Sequence, residues 1–270
     1  HGTSRRQRQM CIRDRKNLFG AKLRTSLNVL VTSISFFLVI FISGMYDGMR
    51  EYAKNITIET EVAGGTYWHP GYDSMDPRTF EDSHSIIPNQ IKKLIDQKYA
   101  FGVLISQASI YPNGRIMPVV MKGITPDQTI VNMPTNVLDQ HNDIAIPVLI
   151  GSGMAKNANL KVGDSFTIRW LDADRTYDAD EGTIVHIMET ENFKLDLGHI
   201  WIPLSKAQSM LAMKNQATYV TYAKDLEAIK DIEDWIHHDV DYMIRDMEAM
   251  IKADEPGAQV IYCLLYTSPS

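Results

Sequence analysis

Cysteine is almost missing from this chain: of 270 residues only Cys11 and Cys263 carry a thiol, one near each end. Two thiols so placed exclude a disulfide framework and a thiolate metal site in the body of the protein. Phosphate-binding and zinc-hydrolase signatures are lacking as well. No G-x-x-x-x-G-K-[ST] element occurs, so no loop of backbone amides is built to cradle a nucleotide, and no H-E-x-x-H pair puts two imidazoles on one helix face. Gly151-Ser152-Gly153 has Ile150 and Met154 at the outer positions, where a G-x-S-x-G nucleophile elbow needs glycine. Positive charge is scarce beyond residue 46, with 19 Lys and Arg against 32 Asp and Glu, a net of −13. A surface this acidic disfavours a nucleic-acid partner.

What is present begins with an absence of another kind. Between Arg24 and Asp47 lie 22 residues without a charge, and Leu27 to Met45 is dominated by Leu, Val, Ile and Phe. As an α-helix this run is about 33 Å long, against a hydrocarbon core of about 30 Å. It reads as a transmembrane helix over 25–46. A buried core helix rarely needs so long an uncharged stretch. A cleaved signal peptide has a shorter apolar region ending in small residues, which Ser43-Gly44-Met45 matches poorly. Eight Lys and Arg against Asp14 precede the run, and mixed charges follow it, so the positive-inside rule places the N-terminus in the cytoplasm and the acidic bulk outside. In 16–24, with Leu18, Phe19 and Leu23 at helical spacing and Lys16, Lys22 and Arg24 beside them, a short interfacial helix is expected on the inner face. Residues 1–15 and 263–270 look like translated sequencing-adapter ends and are set aside. The natural chain is expected to continue past Tyr262.

The rest reads as an α+β domain. An uninterrupted helix is expected from Thr25 to Ile58, a strand near Val62 to Trp68, a loop from Pro70 to Ser85 and a helix from Ile87 to Tyr99 with Ile91, Leu94 and Ile95 inward. Strands Gly102 to Tyr111 and Ile116 to Lys122 flank Pro112-Asn113-Gly114, a hairpin signal because Asn-Gly accepts the positive φ of a type I′ turn. A second block gives a helix at Ser152 to Leu160, strands at Ser165 to Leu171, Gly182 to Glu189 and His199 to Pro203, and a helix at Lys206 to Met213. Ala217 to Tyr222 alternates as a strand, Asp225 to His237 is expected as a helix, and Asp241 to Arg245 as a last strand.

Ile150-Gly151-Ser152-Gly153-Met154-Ala155 followed by Leu160-Lys161-Val162-Gly163-Asp164-Ser165-Phe166 resembles the G-x-x-x-A … L-x-V-G-D passage of MacB-like and lipoprotein-releasing permeases, the FtsX-like membrane subunits of ABC systems. Lys22-Leu23-Arg24-Thr25-Ser26-Leu27, Lys122-Gly123-Ile124-Thr125-Pro126 and Ile202-Pro203-Leu204-Ser205-Lys206-Ala207-Gln208 agree in the same order. The resemblance spans about residues 16 to 262. It implies the first of four membrane helices, then an extracytoplasmic domain of two subdomains: a Porter-like α/β part over 47–140 and 214–262, and a Sabre-like β-rich part over 141–213. It further implies the inner membrane, a second permease subunit in a homo- or heterodimer, an ATP-binding partner subunit that hydrolyses ATP, and, as a further candidate partner, a periplasmic carrier or outer-membrane channel. The expected role is mechanotransmission for export or lipoprotein release. A single-pass receptor with an outer sensor domain, or a cell-division regulator of the FtsX-like group, are the alternatives.

No catalytic, cofactor-binding or metal-ligating residue is expected in this chain, and ATP is expected on the partner subunit. His237-His238 with Asp239 and Asp241 is the densest histidine cluster, but neighbours on a helix point about 100° apart and do not share a metal easily. The acidic stretch Asp172 to Gly182 is the most interesting exposed element. It reads as a solvated hairpin tip, a partner-contacting tip through Asp174, Arg175 and Asp178, or a calcium loop, although Thr176 and Tyr177 break the EF-hand pattern. Trp68, Trp170, Trp201 and Trp235 each fall in an expected regular element and are expected in the core.

Overall fold

The computed structural model describes residues 22–140, 143–190, 192–229 and 232–245. The adapter-like ends, and the interfacial helix apart from Lys22–Arg24, lie outside them. The chain divides into two units between Ala53 and Lys54.

The first unit is carried by helix α1 (Lys22–Thr57), which continues past the boundary without a break. Its bounds agree with the expected Thr25 to Ile58. It contains no proline, and its backbone bonds are satisfied within the segment, as a lipid environment demands. Ser35 Oγ donates to the Val31 carbonyl at 2.8 Å, so that hydroxyl is also satisfied locally. Phe36, Phe37, Leu38, Ile40 and Phe41 are all exposed. The helix is long and apolar enough to cross a membrane.

The second unit begins with a π-helical turn, Ile58–Val62. Then come β1 (Gly65–Trp68), β2 (Ser85–Ile86), α2 (Asn89–Asp96), β3 (Ala100–Tyr111), β4 (Met117–Ile124) and β5 (Pro147–Gly151). The order continues with α3 (Ser152–Ala158), β6 (Ser165–Leu171), β7 (Tyr177–Met188), α4 (Phe193–Gly198), β8 (His199–Pro203), α5 (Leu204–Met210), β9 (Gln216–Ala217), β10 (Tyr219–Tyr222) and β11 (Ile236–Asp239). The main sheet runs β11-β1-β10-β3-β4-β8-β5-β7-β6, and β6 also pairs with the far end of β3. The six strands from β3 to β6 therefore close into a barrel, which removes their free edges. The long β3 is shared: Ala100 to Val103 pairs with β10, and Ala108 to Tyr111 with β6.

Alternation along these strands divides the core. Leu104, Ile110, Met121, Val148, Ile150, Phe166, Ile168 and Ile200 pack in one cluster. Val103, Ile105, Ile124, Leu149, Val185 and Trp201, from the other face, pack in a second with Val131, Leu138 and Leu195. Strand β5 is buried throughout because both of its faces are covered, whereas β6 alternates buried and exposed residues because one face meets water. A third cluster joins Tyr67, Ile91, Ala100, Val220 and Tyr222 beneath α2. All four tryptophans are buried, as expected.

The hairpin between β3 and β4 turns where expected. Asn113 has φ 52° and ψ 32°, Gly114 has φ 76°, and the Arg115 amide donates to the Pro112 carbonyl at 3.0 Å. Two expectations fail further on. Residues 225–237 hold no helix among the described residues; Asp234, at φ 64°, turns the chain, and Ile236–Asp239 adds to β1 as edge strand β11. Long-range bonds override the local periodicity here: the Ile229 amide donates to Tyr67 Oη at 2.8 Å, and Tyr222 Oη meets His237 Nε2 at 2.9 Å. Residues 241–245, expected as a strand, are helical. The Asp239 carboxylate accepts from the Tyr242 amide at 2.7 Å, the bond of a helix N-cap.

Candidate functional site at the end of the long helix

The last turn of α1 widens rather than stopping. Ala63 N donates to Ile58 O at 2.7 Å, closing the wider ring of a π turn, and Thr60 Oγ1 donates back to Ile56 O at 2.8 Å. π turns of this kind are rare and concentrate at functional positions. The turn is fixed to the body from several sides. Asn132 N donates to Glu59 O at 2.7 Å, Thr221 Oγ1 to Glu61 O at 3.3 Å, and Asn192 Nδ2 to Thr60 Oγ1 at 3.5 Å.

The firmest contact is an ion pair. Lys122 Nζ lies 3.0 Å from Glu61 Oε1, with side-chain exposures of 9% and 23%. Lys122 belongs to β4, which is held between β3 and β8. A charge so placed sits on a sheet braced from both sides, and removing one partner would weaken the hold of the other, at a cost below the roughly 3–5 kcal/mol of a fully buried pair because Glu61 is partly exposed. The hydroxyls of Tyr72 and Tyr219 are pushed far above ordinary phenol acidity, first by desolvation and further by the Glu61 carboxylate; for Tyr72 the Lys122 ammonium pulls the other way. Among these residues there is no nucleophile paired with a base. Their chemistry is that of a joint between a helix end and a sheet.

Sequence reasoning passed over Glu61 and did not see Lys122 as anything but a motif residue. The available signal was Lys122 itself, a lone charge between Val119 and Ile124, which burial obliges to find a partner.

Asp174, Arg175 and Asp178 lie elsewhere, on the β6–β7 hairpin. Asp172 Oδ1 accepts from the Thr176 amide at 2.7 Å, and Arg175 takes φ 58° to make the turn. Asp174 and Arg175 stand on the turn, while Asp178 is already on β7 opposite Trp170; all three are exposed. Arg175 reaches Asp82 at 3.5 Å in a well-solvated pair. The described residues hold no group of three or more side chains suited to a metal. On a strand rather than a helix, His237 and His238 point to opposite faces. His237 packs at 5.3 Å from Tyr67, and His238 at 4.5 Å from Trp68 and 4.2 Å from Tyr242.

The sequence motifs are explained by packing. A Cβ on Gly123 would overlap the methyl of Ala207, so the K-G-I and P-L-S-K-A segments meet at this point. Gly153 donates its amide to Asp196 Oδ1 at 2.8 Å, an approach that a side chain at 153 would block. Gly163 and Asp164 bond to Ile184 through their backbones, at 2.8 and 2.9 Å. A family model described as the MacB-like periplasmic core domain matches residues 25–238. The chain belongs to that family. The MacB-like family is a membrane permease component of ABC transporters. Among solved structures, this MacB-like chain is similar to the periplasmic region of MacB from Actinobacillus actinomycetemcomitans, at 12% identity over 71% of this chain and 95% of that one, with a TM-score of 0.46. It is also similar to the extracellular domain of the noncanonic ABC-type transporter YknZ from Gram-positive bacteria, at 9% identity over 60% and 83%, with a TM-score of 0.38. No match to a curated protein was found.

Proposed function

We propose that this chain is the non-catalytic membrane subunit of an ABC-type transport system, transmitting ATP-driven motion from a partner ATPase into its outer domain for export or lipoprotein release. The observation that carries the reading is a helix running unbroken from Lys22 to Thr57 and passing directly into a turn fixed to the sheet by Glu61 and Lys122. A helix displaced along its axis moves whatever its end is bound to, provided that the joint does not yield. The N-terminus is cytoplasmic and the body extracytoplasmic, with the span in the inner membrane. Residues 141–213 form the Sabre-like part and the flanking segments the Porter-like part. Beyond the apolar run, Met45, Met49 and Tyr52 recur at heptad spacing and are exposed, with Asp47, Arg50, Glu51 and Lys54 on the opposite side of the helix. This stripe supports packing against helices of a second permease subunit. The tip at Asp174, Arg175 and Asp178 is the contact for a periplasmic carrier or an outer-membrane channel.

The test is coupling in the full complex with its ATPase. Lys122→Met is expected to leave ATP hydrolysis running while transport falls, and Glu61→Leu combined with Lys122→Met to restore part of it. Equal transport in Lys122→Met and the parent at equal expression would overturn the joint. Orientation is tested with a cysteine placed at Asp174, after Cys11 and Cys263 are changed to Ser; an impermeant maleimide is expected to label it from outside.

A further inference from the structure

Residues 126–136 form a braced loop against the π turn. Gln128 organises it: Oε1 accepts from the Ile130 and Val131 amides at 2.9 and 3.0 Å, while Nε2 donates to Val131 O at 3.3 Å and Thr135 Oγ1 at 3.0 Å. The Thr135 hydroxyl donates in turn to Pro126 O at 2.9 Å. Between this loop, Glu59 and Lys224 lies a cavity of about 710 Å³. That volume falls among small-molecule sites, which run from about 300 to 1,000 Å³.

The lining has a definite chemistry. Glu59 and Lys224, at two walls, find no ion-pair or side-chain hydrogen-bond partner among the described residues, whereas Asp127 is engaged by Lys98 at 3.1 Å. Thr129, Asn132 and Asn136 bring an exposed hydroxyl and two exposed carboxamides with no side-chain hydrogen bond among the described residues, and Ile130 and Met133 bring apolar surface. Exposed charges of opposite sign lining one open space suit a ligand carrying both signs. Carboxamides pair naturally with peptide groups, as donor and acceptor together. The space is an open depression rather than a closed chamber, with room in its 710 Å³ for a segment of about three extended residues, about 10–11 Å long.

We infer that this cavity binds a short zwitterionic peptide, its ammonium toward Glu59, its carboxylate toward Lys224 and its backbone read by Asn132 and Asn136. Because Glu59 belongs to the π turn and its carbonyl accepts from Asn132, occupancy bears directly on the turn that ends the long helix. The inference does not depend on the transport reading, since binding is measured without an ATPase.

The experiment is calorimetric titration of the full chain in detergent with trialanine and with its N-acetylated, C-amidated form. One saturable site is expected for trialanine and none for the capped form. Glu59→Gln and Lys224→Met are each expected to weaken binding about tenfold or more, the loss of one charge-assisted hydrogen bond. Lys156→Met, on α3 and outside the lining, is expected to bind as the parent does. The two variants lie on separate elements, so misfolding of one, seen as altered near-ultraviolet dichroism, leaves the other decisive. Equal binding of the capped peptide, unchanged affinity in a folded Glu59→Gln or Lys224→Met chain, or no heat of binding up to about 10 mM trialanine would each overturn the site.

Discussion

Phe37 and Leu38 in α1 are 64% and 46% exposed, while Leu104 and Ile150 in the barrel are fully buried. The residue types are the same and the surroundings opposite. In the body, apolar side chains are removed from water by one another. In α1 they are arranged around a whole helix circumference and stay exposed among the described residues, the pattern of a helix whose surroundings are apolar on every side. The two regions therefore obey different rules for the same substitution, and each rule can be broken separately.

The largest contrast comes from introducing a charge. Ile150→Lys places an unpaired ammonium in the barrel core and is expected to abolish folding. Leu38→Lys is expected to cost about 3–4 kcal/mol of membrane insertion and to leave the body folded. Tryptophan fluorescence separates the outcomes, because all four tryptophans lie beyond residue 53. Unfolding of the body by Leu38→Lys would make α1 a core helix and sink the membrane assignment.

Next comes the ion pair that fixes the helix end. Lys122→Met is expected to lower the stability of the body in urea titration, by less than the roughly 3–5 kcal/mol of a fully buried pair, because the half-buried Glu61 loses the ammonium 3.0 Å away. Replacing both partners, with Lys122→Met and Glu61→Leu, is expected to recover most of that loss. A single variant as stable as the parent would mean that water reaches Glu61 freely.

Alkali sharpens the comparison with a smaller effect per group. In the body, desolvation raises the Tyr67, Tyr72 and Tyr219 hydroxyls, and Tyr222 is pushed up to about 12. Groups raised in the folded state stabilise it fully below the unfolded pKa of about 10, and this contribution is lost as pH climbs through the folded value. Body stability is therefore expected to fall between about pH 10 and 12, with a shallower fall in Tyr219→Phe. A flat profile across that window would place these hydroxyls in water.

How far the residues announced this architecture depends on the range of the cause. Ser165–Leu171 and His199–Pro203 match the sequence reading residue for residue, because β6 alternates cleanly and β8 is bounded by Gly198 and by Pro203. Asn113-Gly114 set the hairpin by local sterics alone. The closure of β6 onto β3 left no mark in either strand, since a pairing between residues some sixty positions apart is decided by the barrel's geometry. The same holds for β11: residues 225–237 are polar enough and periodic enough for a helix, and only Tyr67 and Tyr222 make the edge strand the better choice. At the candidate site, Lys122 was visible as a charge in an apolar strand, but its partner was not, because the π turn that aims Glu61 has no signature in Ile58-Glu59-Thr60-Glu61-Val62.

The smallest expected effect on stability falls on the hairpin tip, where the comparison turns from folding to contact. Arg175 and Asp82 are 79% and 77% exposed at 3.5 Å, and solvent and salt screen such a pair until it is worth about 0–1 kcal/mol. Replacing Asp174, Arg175 and Asp178 together by Ala is expected to shift the urea midpoint little, since none of the three is buried. Transport in an intact complex is expected to drop all the same, because a tip that contributes nothing to its own fold keeps its charges for something outside it. Unchanged transport at equal expression would return Asp174, Arg175 and Asp178 to the status of a solvated turn, and would leave the joint at Glu61 and Lys122 as the part of this domain through which motion is proposed to pass.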